Sequence, residues 1–222
     1  MILIDNVLTT AQVTQIRKVL EQSRFEDGKA TAGKLIRQAK NNLQAETSEG
    51  ELAAAAQTVM TSLVSNEGFR EYALPRRILP PFFNRYDTGM YYKDHVDNAM
   101  MGGGEPMRAD ISLSLLLSDP GEYDGGELHI GDGKGSVAVK PGSGSVVLYS
   151  SATIHSVAPV TRGTRYAAIS WVQSLIREPE QRTILSELSV LGRWAHQLAP
   201  GAAEPVRITR LRVNLMRMWS EP

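Results

Sequence analysis

Residues 155–174 read "HSVAPVTRGTRYAAISWVQS". Two apolar-rich runs flank "TRGT", whose glycine and threonines suit a turn. The stretch predicts two adjacent antiparallel strands, and five further runs upstream share its character. They are "ILPPFFNRY", "ADISLSLLL", "GELHI", "GSVAVK" and "GSVVLYS". "PGEYDGGE", "GDGKG" and "KPGSG" punctuate them as turns. Short strands at near-regular spacing are the signature of an antiparallel sandwich or barrel, here over about residues 79–177.

The flanks differ. Residues 1–78 read as mostly helical: Thr9 or Thr10 can cap a helix bearing Val13, Ile16, Val19 and Leu20. "FEDGKATAG" breaks it with two glycines, and Ala-rich "ELAAAAQTVMTSLV" suits a second helix. Residues 178–222 return to helix, with Ile184, Leu185, Leu188, Leu191, Trp194 and Leu198 on one stripe. The last segment, 206–219, fits helix or strand by spacing, and helix is preferred. The fold class is thus mainly β with helical flanks.

Composition narrows function. The 222 residues carry 24 Lys plus Arg against 24 Asp plus Glu, so net charge supports neither a nucleic-acid partner nor an anionic membrane. The chain has no cysteine, which excludes disulfides, thiol catalysis and iron–sulfur clusters. "MILIDNVLTT" lacks a basic leader and no apolar run suits a membrane span, so a cytoplasmic location is expected.

Chemistry concentrates at "YYKDHVDNAM", residues 91–100. On a strand, His95 and Asp97 project to one face. An imidazole and a carboxylate make two thirds of the 2-His-1-carboxylate triad, which leaves metal positions open for a chelating co-substrate and O₂. The third ligand lies among His129, His155 and His196. His196 reads as helix surface. His129, sharing a face with Glu127, competes with His155. His155 is favoured because Arg165 follows ten residues later, and a guanidinium on a neighbouring strand can grip a carboxylate with two prongs. The distal carboxylate of 2-oxoglutarate suits that grip, its keto-acid end chelating the metal. Arg162 reads as a solvated turn residue.

"RYDTGMYYKDHVDN" followed by "HSVAPVTRGTRYAAISWVQS" resembles the Fe(II)/2-oxoglutarate dioxygenases, especially the bacterial PKHD-type hydroxylases. "DGKATAG", "KNNLQ", "YDGGEL", "WVQSLIR" and "VNLMRMW" are similar to that family too. The resemblance implies a double-stranded β-helix (jelly-roll) core with N- and C-terminal helices. It also implies His95, Asp97 and His155 as Fe(II) ligands and Arg165 on 2-oxoglutarate. The activity implied is hydroxylation of an unactivated C–H, of a peptidyl proline or lysine or of a small metabolite, with conversion of 2-oxoglutarate to succinate. Ascorbate use and a link to iron homeostasis are implied by resemblance alone. His129 departs from the apolar residue expected after "GGEL". A metal-binding sensor without turnover, or a cupin-type metalloenzyme, are the other readings.

Around this centre, Tyr86 is a candidate hydroxyl donor to 2-oxoglutarate, while Tyr92 reads as packing. Gly102–Gly104 suggest a lid. Met100, Met101, Met107 and Trp171 read as packing. Gly125 and Gly126 suggest a tight turn or bulge. Trp219 reads as a dimer contact or as docking on its own domain, and a homodimer is plausible.

Overall fold

The computed structural model describes residues 1–31, 37–45 and 50–221. Residues 1–78, the first stretch of the chain, hold β1 (Ile2–Ile4), α1 (Thr10–Gln22), β2 (Glu26–Asp27), β3 (Lys40–Asn41), β4 (Leu43–Ala45), α2 (Gly50–Ser65), α3 (Glu67–Ala73) and β5 (Pro75–Ile78). Next come β6 (Phe82–Tyr86), β7 (Tyr91–His95), β8 (Met100–Met101), β9 (Met107–Arg108), β10 (Ile111–Leu116) and β11 (Tyr123–Gly125). Then follow β12 (Leu128–Ile130), β13 (Val137–Val139), β14 (Val146–Ser150), β15 (His155–Val157), β16 (Val160–Gly163) and β17 (Arg165–Ser174). Helices α4 (Pro179–Leu198) and α5 (Ala203–Trp219) complete the chain, so 206–219 is helix. Of the two glycines read as a break near residue 30, Gly33 lies outside the described residues.

The strands form a jelly roll. The major sheet runs β1-β14-β10-β17-β6-β4-β2, with β5 also on β17, and the minor sheet runs β13-β12-β15-β7-β3. The first stretch is therefore not helical alone, because its short strands extend both sheets. Tyr86, Leu116, Val147 and Ala167 of the major sheet pack against Leu128, Ile130 and Val157 of the minor. The major sheet's other face, with Leu113, Leu115 and Ala168, meets Ile16 and Leu20 of α1, Val59 and Leu63 of α2, and Phe69 of α3. Thr9 caps α1 through a reciprocal box with Gln12.

The expectation that "HSVAPV" and "RYAAISW" are adjacent strands is corrected. β15 lies between β12 and β7, while β17 lies between β10 and β6 in the facing sheet. The linking residues form β16, which pairs with β11. Burial explains the separation. β17 is buried at eight of ten positions and needs cover on both faces, which a central strand of the major sheet receives. The "DGG" segment is a bulge: register shifts between Asp124 and Gly125. Gly125 has φ +69°, and a Cβ there would stand 2.1 Å from the Pro159 carbonyl oxygen.

The α4 stripe is also corrected. Leu185 is buried with Leu74 and Ile176, but Ile184, Leu191, Trp194 and Leu198 are exposed. α4 packs mainly on α5 and α3, which leaves four of the six stripe residues uncovered. Trp219 docks on its own domain beside Leu185.

Candidate metal centre

His95 ends β7 and His155 begins β15, and the two are register partners. Their rings stand 4.1 Å apart between centroids. Each Nδ1 faces a carbonyl two residues upstream: Lys93 at 2.8 Å for His95 and Thr153 at 3.0 Å for His155. A carbonyl oxygen only accepts, so each Nδ1 carries the proton and each Nε2 keeps its lone pair for a cation. Burial first, and then the neighbouring His155, hold the His95 ring well below the usual histidine range. That keeps it neutral, as a ligand must be.

Asp97 lies two residues beyond the end of β7, not on the strand as expected. Its carboxylate is held from the facing sheet. Ser112 Oγ on β10 donates to Oδ2 at 2.5 Å and Trp171 Nε1 on β17 donates to the same oxygen at 2.9 Å. Ser151 Oγ stands 2.8 Å from Ser112 Oγ. His155 Nε2 is 3.8 Å from Asp97 Oδ2, and one donor atom from each of His95, Asp97 and His155 lies within 4.8 Å of the others. Two imidazoles and one carboxylate suit a divalent first-row metal with open positions.

Arg165, Ala167, Ile169 and Trp171 alternate along one face of β17, which is the cavity face. Trp171 anchors Asp97 at one end, and Arg165 stands at the other, 1% exposed. The Arg165 Nε and Nη1 atoms have no hydrogen-bond partner among the described residues. A buried guanidinium in that state fits a carboxylate guest. Gly126 makes room for it, since a Cβ there would sit 3.1 Å from Arg165 Cδ. Tyr86 is Arg165's register partner, and the guanidinium carbon is 5.3 Å from its ring centroid. Burial pushes the Tyr86 hydroxyl up to about 12, against the Arg165 charge and the Asn42 and Asn84 side chains.

Tyr92 is more than packing on the sheet rim. Its ring stacks on His95 at 3.6 Å and lines the cavity. Tyr149 lies 4.9 Å from the His155 ring, and burial raises its hydroxyl strongly. Lys40 also lines the cavity, and burial pulls its ammonium down to about 8. Sequence reasoning missed Ser112, Tyr149 and Lys40, and placed Trp171 in the core only. Period-2 counting from Arg165 puts Trp171 on the cavity face.

The remaining candidates fall elsewhere. His129 faces outward beside Tyr91, Lys93 and Asp94 while its neighbours Leu128 and Ile130 enter the core. His196 is exposed on α4, and exposed Arg162 pairs with Asp124. Gly102–Gly104 lie in the loop of the β8–β9 hairpin, whose Met101 lines the cavity and whose Met107 is buried.

A jelly roll with two imidazoles, a carboxylate and a buried arginine in one cavity defines a metal-dependent oxygenase scaffold. Residues 81–173 match the model of the 2OG-Fe(II) oxygenase superfamily. A PKHD-type hydroxylase of Xanthomonas campestris pv. campestris is 43% identical over 223 residues, 98% of each chain. Among solved structures, the chain is similar to a Trichoplax adhaerens prolyl hydroxylase in complex with a hypoxia inducible factor peptide fragment. That likeness has a TM-score of 0.56 and 20% identity, covering 83% of this chain and 86% of that one. HygX of Streptomyces hygroscopicus, with nickel, 2-oxoglutarate and hygromycin B bound, gives a TM-score of 0.55 at 15% identity, covering 80% and 84%. The chain belongs to the PKHD-type hydroxylases of the 2OG-Fe(II) oxygenase superfamily. It is an Fe(II)- and 2-oxoglutarate-dependent dioxygenase whose substrate is unidentified.

Proposed function

We propose that His95, Asp97 and His155 hold Fe(II), and that Arg165, supported by Tyr86, holds the far carboxylate of 2-oxoglutarate. The observation that carries this is the buried Arg165 guanidinium in the cavity that the triad also lines. When bound, the iron and 2-oxoglutarate supply oxidative decarboxylation to succinate coupled to hydroxylation of a C–H bond. The chain's own residues do the rest. The Lys93 and Thr153 carbonyls fix both imidazoles as Nε2 ligands. Ser112 and Trp171 aim the carboxylate. Arg165 orients the diacid, and the aromatic rings of Tyr92 and Tyr149 wall the histidines off from water.

The cavity measures about 160 Å³, below the 300 Å³ or so at which drug-sized ligands begin to be enclosed. A substrate therefore inserts a tip and leaves its bulk at the mouth. The peptide on the Trichoplax enzyme and the hygromycin B on HygX support a peptide or a small metabolite respectively. Family resemblance supports ascorbate as a reductant that restores Fe(II) and a role in iron homeostasis. The exposed Leu191, Trp194 and Leu198 support a homodimer through α4.

The test uses Mn(II) and 2-oxoglutarate with purified variants. His155→Ala should lower Mn(II) affinity more than ~100-fold, while His129→Ala should leave it unchanged. Arg165→Leu should keep Mn(II) but lose 2-oxoglutarate binding by ~100-fold or more, as expected when one partner of a buried ion pair is removed. Retained Mn(II) affinity in His155→Ala, or retained 2-oxoglutarate affinity in Arg165→Leu, sinks the assignment.

A further inference from the structure

The bulge in "YDGGEL", residues 123–128, does more than turn the chain. Tyr123 opens it as the first residue of β11, and its ring is buried in the layer between the sheets with Tyr86, Leu128 and Val160. Lys140 fastens that ring: its Nζ donates to the Tyr123 carbonyl at 2.8 Å and stands 4.1 Å from the ring centroid. Three residues on, Gly126 leaves a notch. A Cβ there would lie 3.0 Å from Tyr123 Cε2, 3.0 Å from Val160 Cγ2 and 3.1 Å from Arg165 Cδ. The edge of the tyrosine ring and the stem of the arginine therefore meet at this notch.

The Tyr123 hydroxyl is buried and forms no aligned hydrogen bond with a described residue. A phenylalanine would fill the same space without burying an unpaired hydroxyl, which is costly in an apolar layer. Arg165 Nε and Nη1 are buried in the same condition. The two groups act on each other. Burial raises the hydroxyl, and the Arg165 guanidinium is the first group to oppose that, by its charge and then by hydrogen bonding. Hydroxyl and guanidinium are thus in reach of each other without being aligned. An arginine only donates, so between these two the tyrosine oxygen accepts. Tyr86 and Arg165 line the cavity and Tyr123 does not, so the Tyr123 hydroxyl reaches Arg165 from behind the cavity wall.

We propose that Tyr123 is a positioning residue for Arg165. Its hydroxyl oxygen accepts a guanidinium N–H and sets the plane of the fork, whose remaining N–H groups meet the far carboxylate of 2-oxoglutarate. A small rotation brings the pair into line as the fork engages that carboxylate. Two-pronged recognition depends on such a fixed plane. This rests on the proposed function and adds a residue outside the cavity to the selection of the co-substrate.

The experiment titrates the Mn(II)-loaded protein with 2-oxoglutarate and with 2-oxovalerate, which keeps the keto-acid end and carries a methyl group in place of the far carboxylate. Binding is read from water-proton relaxation by the Mn(II) ion, which serves for weak ligands as well as tight ones. Tyr123→Phe removes only the hydroxyl. It should weaken 2-oxoglutarate ~10-fold, the size of a hydrogen bond to a charged group, and leave 2-oxovalerate and Mn(II) at their wild-type affinities. Added to Arg165→Leu, the same substitution should change the affinity for neither acid, because no fork is left to position. Unchanged 2-oxoglutarate affinity in Tyr123→Phe, equal loss of the two acids, loss of Mn(II), or a full further loss on top of Arg165→Leu overturns the inference. A wild type that binds the two acids equally, or an Arg165→Leu variant that keeps its 2-oxoglutarate, instead counts against the proposed function, so the two failures are distinct.

Discussion

Asp97 shows how a single side chain can be placed without a strand beneath it. Ser112 and Trp171 converge on Oδ2 from two neighbouring strands of the opposite sheet. Trp171→Phe keeps a smaller aromatic ring and removes the N–H. It should weaken Mn(II) affinity ~10-fold or more, which a metal titration reads, while thermal stability of the metal-free protein changes little. Lys40 gives a second residue-level expectation. Its folded value of about 8 lies below the ordinary 10.5, so between those values the unfolded chain binds more protons than the folded one. Stability must then rise with pH through that window, starting near pH 8. Denaturant unfolding from pH 8 to 9.5 should show the rise in the metal-free wild type, and Lys40→Met should flatten it. At this scale much was readable: residue type and spacing picked out His95, Asp97, His155 and Arg165, which the structure gathers in one cavity. The supporting serine, tryptophan and lysine were not, because their roles depend on which strands face each other.

Among elements, β15 and β17 carry the same lesson. Both read as strands and both are strands, yet they belong to facing sheets. A sequence displays period and length, whereas strand partners are fixed by contacts between distant residues. The strap at 40–44, which steps from β3 in the minor sheet to β4 in the major, was harder still. Two strands of two and three residues are too short for any alternation to register. Helix ends were clearer, since Thr9 with Gln12 three residues on is a recognisable start signal. Thr9→Ala removes the hydroxyl acceptor of that box and should cost about 1 kcal/mol in urea unfolding, with no change in metal affinity. The α1 helix packs on the face of the major sheet away from the cavity, which is why the two measurements should separate.

The whole molecule is a sandwich with helices on one flank and an uncovered helical hairpin. Arg193 on α4 pairs with Glu67 and Glu71 of α3, and Arg108 of β9 bridges Asp110 and Glu221, 2.6 Å from each. These ties fix α4 and Glu221, two residues beyond α5, to the body but leave Leu191, Trp194 and Leu198 in solvent at helical spacing. Light scattering should find a dimer that Trp194→Glu dissociates, and a monomeric wild type would refute the homodimer. No described helix is long and apolar enough to cross a membrane. One consequence of the metal site's layout concerns mechanical integrity. Both histidines belong to the minor sheet, while the aspartate is fastened to the major one. An ion shared by the three would act as a rivet between two layers otherwise joined by packing and by the strap at one side. Stripping it with a chelator should loosen the seam, so that amide exchange accelerates first in β7 and β15 while β10 and β17 remain protected.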